Sequence, residues 1–230
     1  MSITKLIAKI AANYDNPNSV GSKLRTKRAT PLLTMIERHF EKSGCVNIID
    51  IGGTEKYWNI ISDAFLDNHN VKITIVNLPG LKAPLDTSRF NFIEGDGCAL
   101  TQINDKSFHI AHSNSVIEHV GNWDRMVSFS KEISRVASSY FVQTPNYWFP
   151  MEPHLMIPFF QWLPKPLQIF LVMKINLGHS SKAESVDKAV RIIESVSLLN
   201  KKMFSELFKD AEVKYEFFFL LKKSFIAIRK

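Results

Sequence analysis

The sequence predicts an α/β fold: a mostly parallel sheet of seven strands, helices on both faces, and an antiparallel hairpin at its end. Three observations predict it. From about residue 45, short apolar or β-branched runs alternate with stretches whose apolar residues recur at helical spacing, the pattern of repeated β–α–β units. Those runs stop at glycine, aspartate, asparagine or proline, as buried strands do where they turn into loops. The last two runs, Val213–Phe219 and Ser224–Arg229, are joined by the tight connection Leu220–Lys223, which makes them a hairpin.

In chain order, Val46–Ile51 reads as a buried strand and Glu55–Leu66 as a helix with Ile60, Ile61, Ala64 and Phe65 on one face. Val71–Val76 is β-branched and ends before Asn77-Leu78-Pro79-Gly80, and Phe90–Ile93 ends before Glu94-Gly95-Asp96-Gly97. Phe108–Ser113 is the fourth strand, Trp123–Val136 a helix, and Tyr140–Thr144 a strand stopped by Pro145. Residues 146–180 break the rhythm with aromatic residues and prolines and are expected to form a cap. A helix over Leu199–Phe208 precedes the hairpin. No internal repeat or linker divides the 230 residues, so one domain is expected, with an N-terminal helical extension over 1–43.

Composition narrows the setting. Hydrophobic content of 45% and charged content of 22% are those of a globular protein with a substantial core. Two cysteines, Cys45 and Cys98, make no disulfide framework and suit a reducing, cytoplasmic location. Ile3, Leu6, Ile7 and Ile10 sit at helical spacing but are interrupted by Lys5 and Lys9, which does not fit a signal peptide. The stretch from Leu155 to Met173 contains Pro158, Gln161, Pro164, Lys165 and Pro166, which excludes a simple spanning helix. The net charge is +7, with basic clusters over Lys23–Arg28 and at Lys222, Lys223, Arg229 and Lys230. Such clusters suit phosphate or the inner, anionic face of a membrane, and equally a solvated surface.

The chemistry is concentrated at strand ends, where ligands bind in such sheets. Ile48-Ile49-Asp50-Ile51-Gly52-Gly53-Thr54 places a carboxylate before paired glycines, whereas a nicotinamide site puts its acid on the next strand. An acid ahead of the glycines suits a cationic amino-acid-like group and points to S-adenosylmethionine. Asn77 is placed for ribose hydroxyls and Asp96 for an adenine amino group. Each position alone also reads as a turn or cap.

With Ser113-Asn114-Ser115-Val116-Ile117-Glu118-His119 added, the chain resembles the class I S-adenosylmethionine-dependent methyltransferase superfamily from about residue 44 onward. Thr144-Pro145-Asn146-Tyr147-Trp148-Phe149-Pro150-Met151-Glu152-Pro153-His154 is further similar to a bacterial subgroup that modifies small molecules or glycans. The resemblance implies a Rossmann-like sheet and S-adenosyl-L-methionine as cofactor. It implies that Asp50, Gly52 and Gly53 line the methionine part, Asn77 meets the ribose, Asp96 with Gly97 the adenine, and Leu78 also binds the cofactor. Ser113 and Asn114 would border the methyl group and acceptor. Thr54 and Lys56 stand where the family usually has further glycines, and Asn77 where it usually has an acid. Glu118 and His119 are expected at the start of the helix after the fourth strand, and in some quinone-modifying relatives a similar Glu-His pair, with a second Glu three residues earlier, binds a divalent metal. Ser115 occupies that earlier position, so no metal is expected. His109 and His112 point to opposite faces of their strand and do not replace it.

The aromatic cap supplies Tyr147, Trp148, Phe149, Phe159, Phe160 and Trp162, surfaces suited to a sugar or aromatic ring. Glu152 and His154 flank Pro153, and an extended backbone would put them on one side, His154 as general base and Glu152 orienting it. Bracing of the prolines is the plainer reading of that pair. The expected activity is therefore O-methylation of a small molecule or glycan. A nucleic-acid methyltransferase is the second reading, but Ser113-Asn114-Ser115-Val116 is not the Asn/Asp-Pro-Pro-aromatic signature and no Pro-Cys nucleophile occurs, so no nucleic-acid partner is expected. A non-catalytic binding module in a biosynthetic complex at a membrane surface is the third. The oligomeric state is left open.

Overall fold

A computed structural model describes residues 20–176 and 181–230, with side chains from residue 26 onward. The expected amphipathic stretch at Ile3–Ile10 and the side chains of Lys23 and Arg25 lie outside these. Helix α1 (Val20–Ser43) is followed by β1 (Val46–Ile51), two short helices α2 (Glu55–Trp58) and α3 (Asp63–Asn68), β2 (Val71–Asn77), β3 (Phe90–Glu94) and β4 (Phe108–Asn114). Then come a single 3₁₀ turn (Ile117–His119), α4 (Trp123–Val136) and β5 (Ala137–Pro145). The strand order is β3-β2-β1-β4-β5-β9-β8, where β8 is Glu212–Phe218 and β9 is Leu221–Arg229. β1 to β5 run parallel and β9 is antiparallel to both neighbours.

Alternation along the strands sorts side chains onto two layers. Ile49, Ile51, Ala111, Tyr140, Val142 and Phe225 pack beneath Met126, Phe129, Ile133 and Val136 of α4. Their neighbours Ile48, Ile73, Ile75, Ile110, Phe141 and Ile226 face Leu32, Met35 and Ile36 of α1, with Tyr57 and Trp58. Each of the large aliphatic and phenylalanine side chains among them contributes roughly 1.5–3 kcal/mol, so both layers hold the strand ends rigidly.

Three local details differ from the sequence reading. The helix expected over Glu55–Leu66 is two helices, because Ser62 takes an extended conformation and caps α3 by accepting a hydrogen bond from Phe65 N at 3.3 Å. Glu118 and His119 lie in a 3₁₀ turn rather than opening a long helix, which starts only after Gly121 (φ 118°) and the cap residue Asn122. The hairpin turns at Phe219-Leu220, with Phe219 in the left-handed region at φ 52°.

Between β5 and helix α7 (Lys201–Leu207) the chain leaves the sheet. It forms a two-stranded ribbon, β6 (Met151–Glu152) and β7 (Ile157–Pro158), then α5 (Lys165–Lys174) and α6 (Val186–Glu194). Leu155, Phe160, Val172, Ala183 and Ala189 give this cap its own apolar cluster. Its return is pinned where Ser197 N donates to Glu118 O at 2.7 Å and Tyr147 N to Leu199 O at 2.9 Å.

Candidate active site

Two cavities meet at His119. The first, about 320 Å³, lies beyond the carboxyl ends of β1 to β4, against Gly52, Asn77, Leu78, Asp96, Gly97 and Val116. The second, about 490 Å³, lies under the cap against Tyr147, Glu152, His154, Phe160 and Gln168. Both fall in the range of small-molecule sites, roughly 300–1,000 Å³. His119 lines each of them.

The strand-one motif is built differently from its sequence reading. Asp50 is fully buried, its Oδ2 accepting from Trp58 Nε1 at 2.9 Å and its Oδ1 lying 2.7 Å from His112 Nδ1. It shares the layer of Ile48, on the α1 side, so its carboxylate braces the loop from behind and does not line the cleft. Gly53 belongs to the same arrangement: a Cβ there would fall 1.9 Å from Asp50 Oδ2. Gly52 does face the cleft, at φ 77°, and a Cβ on it would meet Val116 at 2.6 Å. The bare backbone expected of the motif is thus offered by Gly52 alone.

Asn77 donates from Nδ2 to Gly53 O at 2.8 Å, which leaves its carbonyl oxygen to accept from a ligand. Leu78 is largely exposed beside it. Asp96 is paired with Arg125, whose Nη2 reaches both carboxylate oxygens at 2.9 and 2.8 Å, and it also accepts from Cys98 N. Burial pushes its carboxyl up, but the Arg125 and Cys98 hydrogen bonds outweigh that and hold it below the ordinary carboxylate value. Gly97 fits against Ile51 and Phe129, with no room for a side chain. Ser113 is buried and donates to Ile51 O at 3.0 Å, so it ties β4 to β1 rather than facing a ligand. Asn114 stands half-buried at the end of β4, its Oδ1 without a hydrogen-bond partner.

On the cap side Glu152 and His154 do come together. The backbone turns at Pro153, and Glu152 Oε1 lies 2.7 Å from His154 Nδ1 while its Oε2 accepts from the backbone N–H groups of His154 and Leu155. Burial works against charge on His154, yet the hydrogen bond and charge of Glu152 raise its pKa overall. Of the cap aromatics, Tyr147 and Phe160 line the cavity, whereas Trp148, Phe159 and Trp162 stand exposed on the outside.

Glu118 was not among the expected site residues. It is buried, its Oε2 accepts from Thr144 Oγ1 at 2.9 Å, and its Oε1 has no hydrogen-bond partner. Burial raises its pKa to about 7 against the opposing hydrogen bonds and the charge of His154. His119 Nδ1 lies 3.0 Å from the carbonyl of Ser195, and burial lowers its pKa. The sequence signal was the Glu-His pair directly after the fourth strand.

No family model matches the chain. Over 58 residues it is 41% identical to uncharacterised proteins of two Mycobacterium tuberculosis strains, a stretch covering 25% of this chain and 20% of each relative. The chain thus spans only about a fifth of the length of those relatives. Among solved structures, LepI in complex with SAH and a substrate analogue superposes on 86% of this chain and 46% of its own, with a TM-score of 0.51 at 9% identity. The fold is the Rossmann-like α/β fold of that SAH-bound protein. A SAM-dependent methyltransferase from Archaeoglobus fulgidus covers 86% of this chain and 92% of its own (TM-score 0.48, 10% identity). An O-methyltransferase family protein from Burkholderia thailandensis covers 100% of this chain and 64% of its own (TM-score 0.46, 11% identity). The cleft above β1 and β4 offers bare backbone at Gly52 and Gly97, the acceptor oxygen of Asn77, and apolar surface from Leu78, Val120 and Phe129.

Proposed function

We propose that the chain is an S-adenosyl-L-methionine-dependent methyltransferase acting on a hydroxyl of a small molecule or glycan seated under the cap. The observation that carries this is the meeting of the two cavities at His119, an adenosyl-sized cleft opening beside an aromatic one. Gly52 and Asn77 hold the methionine and ribose parts, Asp96 and Gly97 the adenine, and Asn114 borders the acceptor. Asp50, Gly53 and Ser113 act one step back, by fixing the loop that carries Gly52. Bound S-adenosylmethionine supplies a sulfonium methyl, whose C–S bond breaks with its electron pair going to sulfur as a C–O bond forms from an oxygen lone pair. Glu152 holds the Nδ1 proton of His154, so the Nε2 lone pair accepts the proton of the acceptor hydroxyl. Tyr147 and Phe160 exclude water and orient the acceptor, which is where most of the rate for such a transfer arises.

Calorimetric titration of the purified chain with S-adenosylmethionine and with its demethylated product tests this. One site per chain is expected, and absence of binding by either would sink the reading.

A contact with the inner, anionic face of a membrane goes with it. Phe219 and Leu220, 86% and 94% exposed at the hairpin tip, precede Lys222 and Lys223. No helix of the described residues is long and apolar enough to cross a membrane. The free Cys45 and Cys98 support a cytoplasmic setting.

A further inference from the structure

Glu118, His119 and His154 offer one donor atom each, and the three atoms lie within 4.8 Å of one another. What distinguishes them is how their other atoms are used. Thr144 holds Glu118 Oε2, the Ser195 carbonyl faces His119 Nδ1, and Glu152 faces His154 Nδ1. A carbonyl or carboxylate partner requires the proton to sit on Nδ1, so each imidazole turns a lone pair on Nε2 elsewhere. Glu118 Oε1, fully buried, is left without a partner. Metal-binding histidines are oriented by the same kind of second contact.

A shared proton is the competing explanation, and spacing decides against it. A hydrogen bond from Glu118 to either imidazole would need about 2.6–3.2 Å, and Glu118 Oε1 makes none. The gap suits something larger than a proton. The geometry points to a divalent first-row cation, of the zinc class, bound by Glu118, His119 and His154. Two nitrogens and one carboxylate favour such an ion over magnesium or calcium. With bonds of about 2.0–2.2 Å to each atom the widest donor pair must close by roughly an ångström, through rotation of the imidazoles. The three ligands come from two places, the turn after β4 and the cap, so the ion would tie the cap to the sheet. His154 replaces the acid whose absence at Ser115 removed a metal from the sequence expectation.

The role of the ion rests on the acceptor site proposed above, although its binding does not. His119 borders both cavities, so the cation sits where acceptor and methyl group meet. A cation held there would polarise the acceptor hydroxyl and lower its pKa, as zinc does for bound water, with the proton passing to solvent in the open cavity. The Nε2 lone pair of His154 then holds the metal instead of receiving that proton.

Chelator-stripped protein is titrated with Zn²⁺ by calorimetry, and separately with the demethylated cofactor. One zinc per chain is expected, lost in His154→Ala and in Glu118→Gln, weakened about 10–100-fold in Glu152→Gln, and retained in His69→Ala. His154 lies in the cap, so its variant keeps the test alive if Glu118→Gln does not fold. A wild type that takes up no stoichiometric zinc, or a His154→Ala variant that binds it as well as wild type, overturns the inference. Loss of nucleoside binding in the wild type, with zinc still bound, overturns the cofactor reading and leaves the cation site standing.

Discussion

Asp50 and His112 face each other across β1 and β4, Oδ1 to Nδ1 at 2.7 Å, with both side chains closed off from solvent. They are register partners in the parallel ladder, so the contact is fixed by the sheet itself. The acid that marks the cofactor loop in the sequence therefore acts on the loop through the fold. Asp50→Ala leaves the buried donors of Trp58 and His112 without an acceptor, at about 1–3 kcal/mol each, and should lower stability by about 2–5 kcal/mol in urea unfolding. Gly53→Ala should do comparable damage, because its methyl would displace the same carboxylate. An Asp50→Ala protein of normal stability that fails to bind nucleoside would mean instead that the carboxylate faces the ligand.

Acid should loosen the hold of α1 on the terminal hairpin. Glu216 is buried against Arg28, at 3.2 Å, and accepts from Ser224 Oγ at 2.6 Å. Burial pushes its carboxyl up, but the charges of Arg28 and Lys223 and the Ser224 hydroxyl together hold it below the ordinary value. A depressed folded pKa gives stability that is present above the unfolded value, about 4.3, and lost as pH falls through the folded one. Glu216→Gln should therefore cost about 3–5 kcal/mol at pH 7, where it leaves a buried guanidinium unpaired, and less at pH 3.5. A gap between variant and wild type that does not narrow with acid would refute this.

The sheet was legible because the parallel strands are apolar or β-branched runs stopped by a residue suited to a turn, and because Val213–Phe219 and Ser224–Arg229 leave too little chain between them for a crossover. The orientation of Asp50 was also written there, in its even spacing from Ile48, but its placement before glycines suggested a ligand contact. Nothing in the periodicity brings His154 to Glu118. That meeting depends on a cap whose path is set by Pro153, the β6–β7 ribbon and the anchor from Ser197 to Glu118 O, none of which has a repeating pattern. The pairing of Arg125 with Asp96 was hidden for a related reason: it joins one turn of α4 to a loop.

That pair sits at the rim of the cleft and is half open to solvent, so it contributes at most about 1 kcal/mol to stability. Its consequence is for binding. Asp96→Ala should weaken binding of the demethylated cofactor about 10–100-fold, the worth of a hydrogen bond to a charged acceptor at about 1.5–3 kcal/mol, with a melting temperature near that of wild type. Arg125→Ala, which keeps the carboxylate, should lose less. Equal calorimetric losses in the two variants would show that the ion pair as a unit, rather than Asp96, meets the ligand.

The hairpin tip should carry the membrane contact. Burying Phe219 and Leu220 in an interface is worth about 1.5–3 kcal/mol each, and each nearby lysine adds about 1 kcal/mol against an anionic surface. The double variant Phe219→Asp, Leu220→Asp should therefore lose at least about tenfold in co-sedimentation with phosphatidylglycerol vesicles, and wild-type binding should fall as salt rises. Binding to neutral vesicles with equal strength, or a double variant indistinguishable from wild type, would remove the membrane from this reading.

The sharpest test concerns the Glu152–His154 pair, because structure and chemistry predict different readouts for it. His154 Nδ1 faces a carboxylate that also fixes the backbone at His154 and Leu155, so Glu152 positions the ring as well as its proton. If the pair only braced the cap, His154→Ala would lower stability and leave the turnover of folded protein intact. Whether its Nε2 takes the acceptor's proton or holds the cation that acidifies the hydroxyl, His154 should cost about 10²–10⁴ in kcat when replaced by alanine, while the affinity for the demethylated cofactor stays within twofold. Glu152→Gln keeps the shape but not the charge, and should lower kcat less than His154→Ala does. The assay follows release of the demethylated cofactor over a panel of phenolic and sugar hydroxyl acceptors. Undiminished turnover by His154→Ala on an acceptor the wild type uses would end the assignment, and the cofactor titration alongside it keeps that outcome separate from a collapsed cleft.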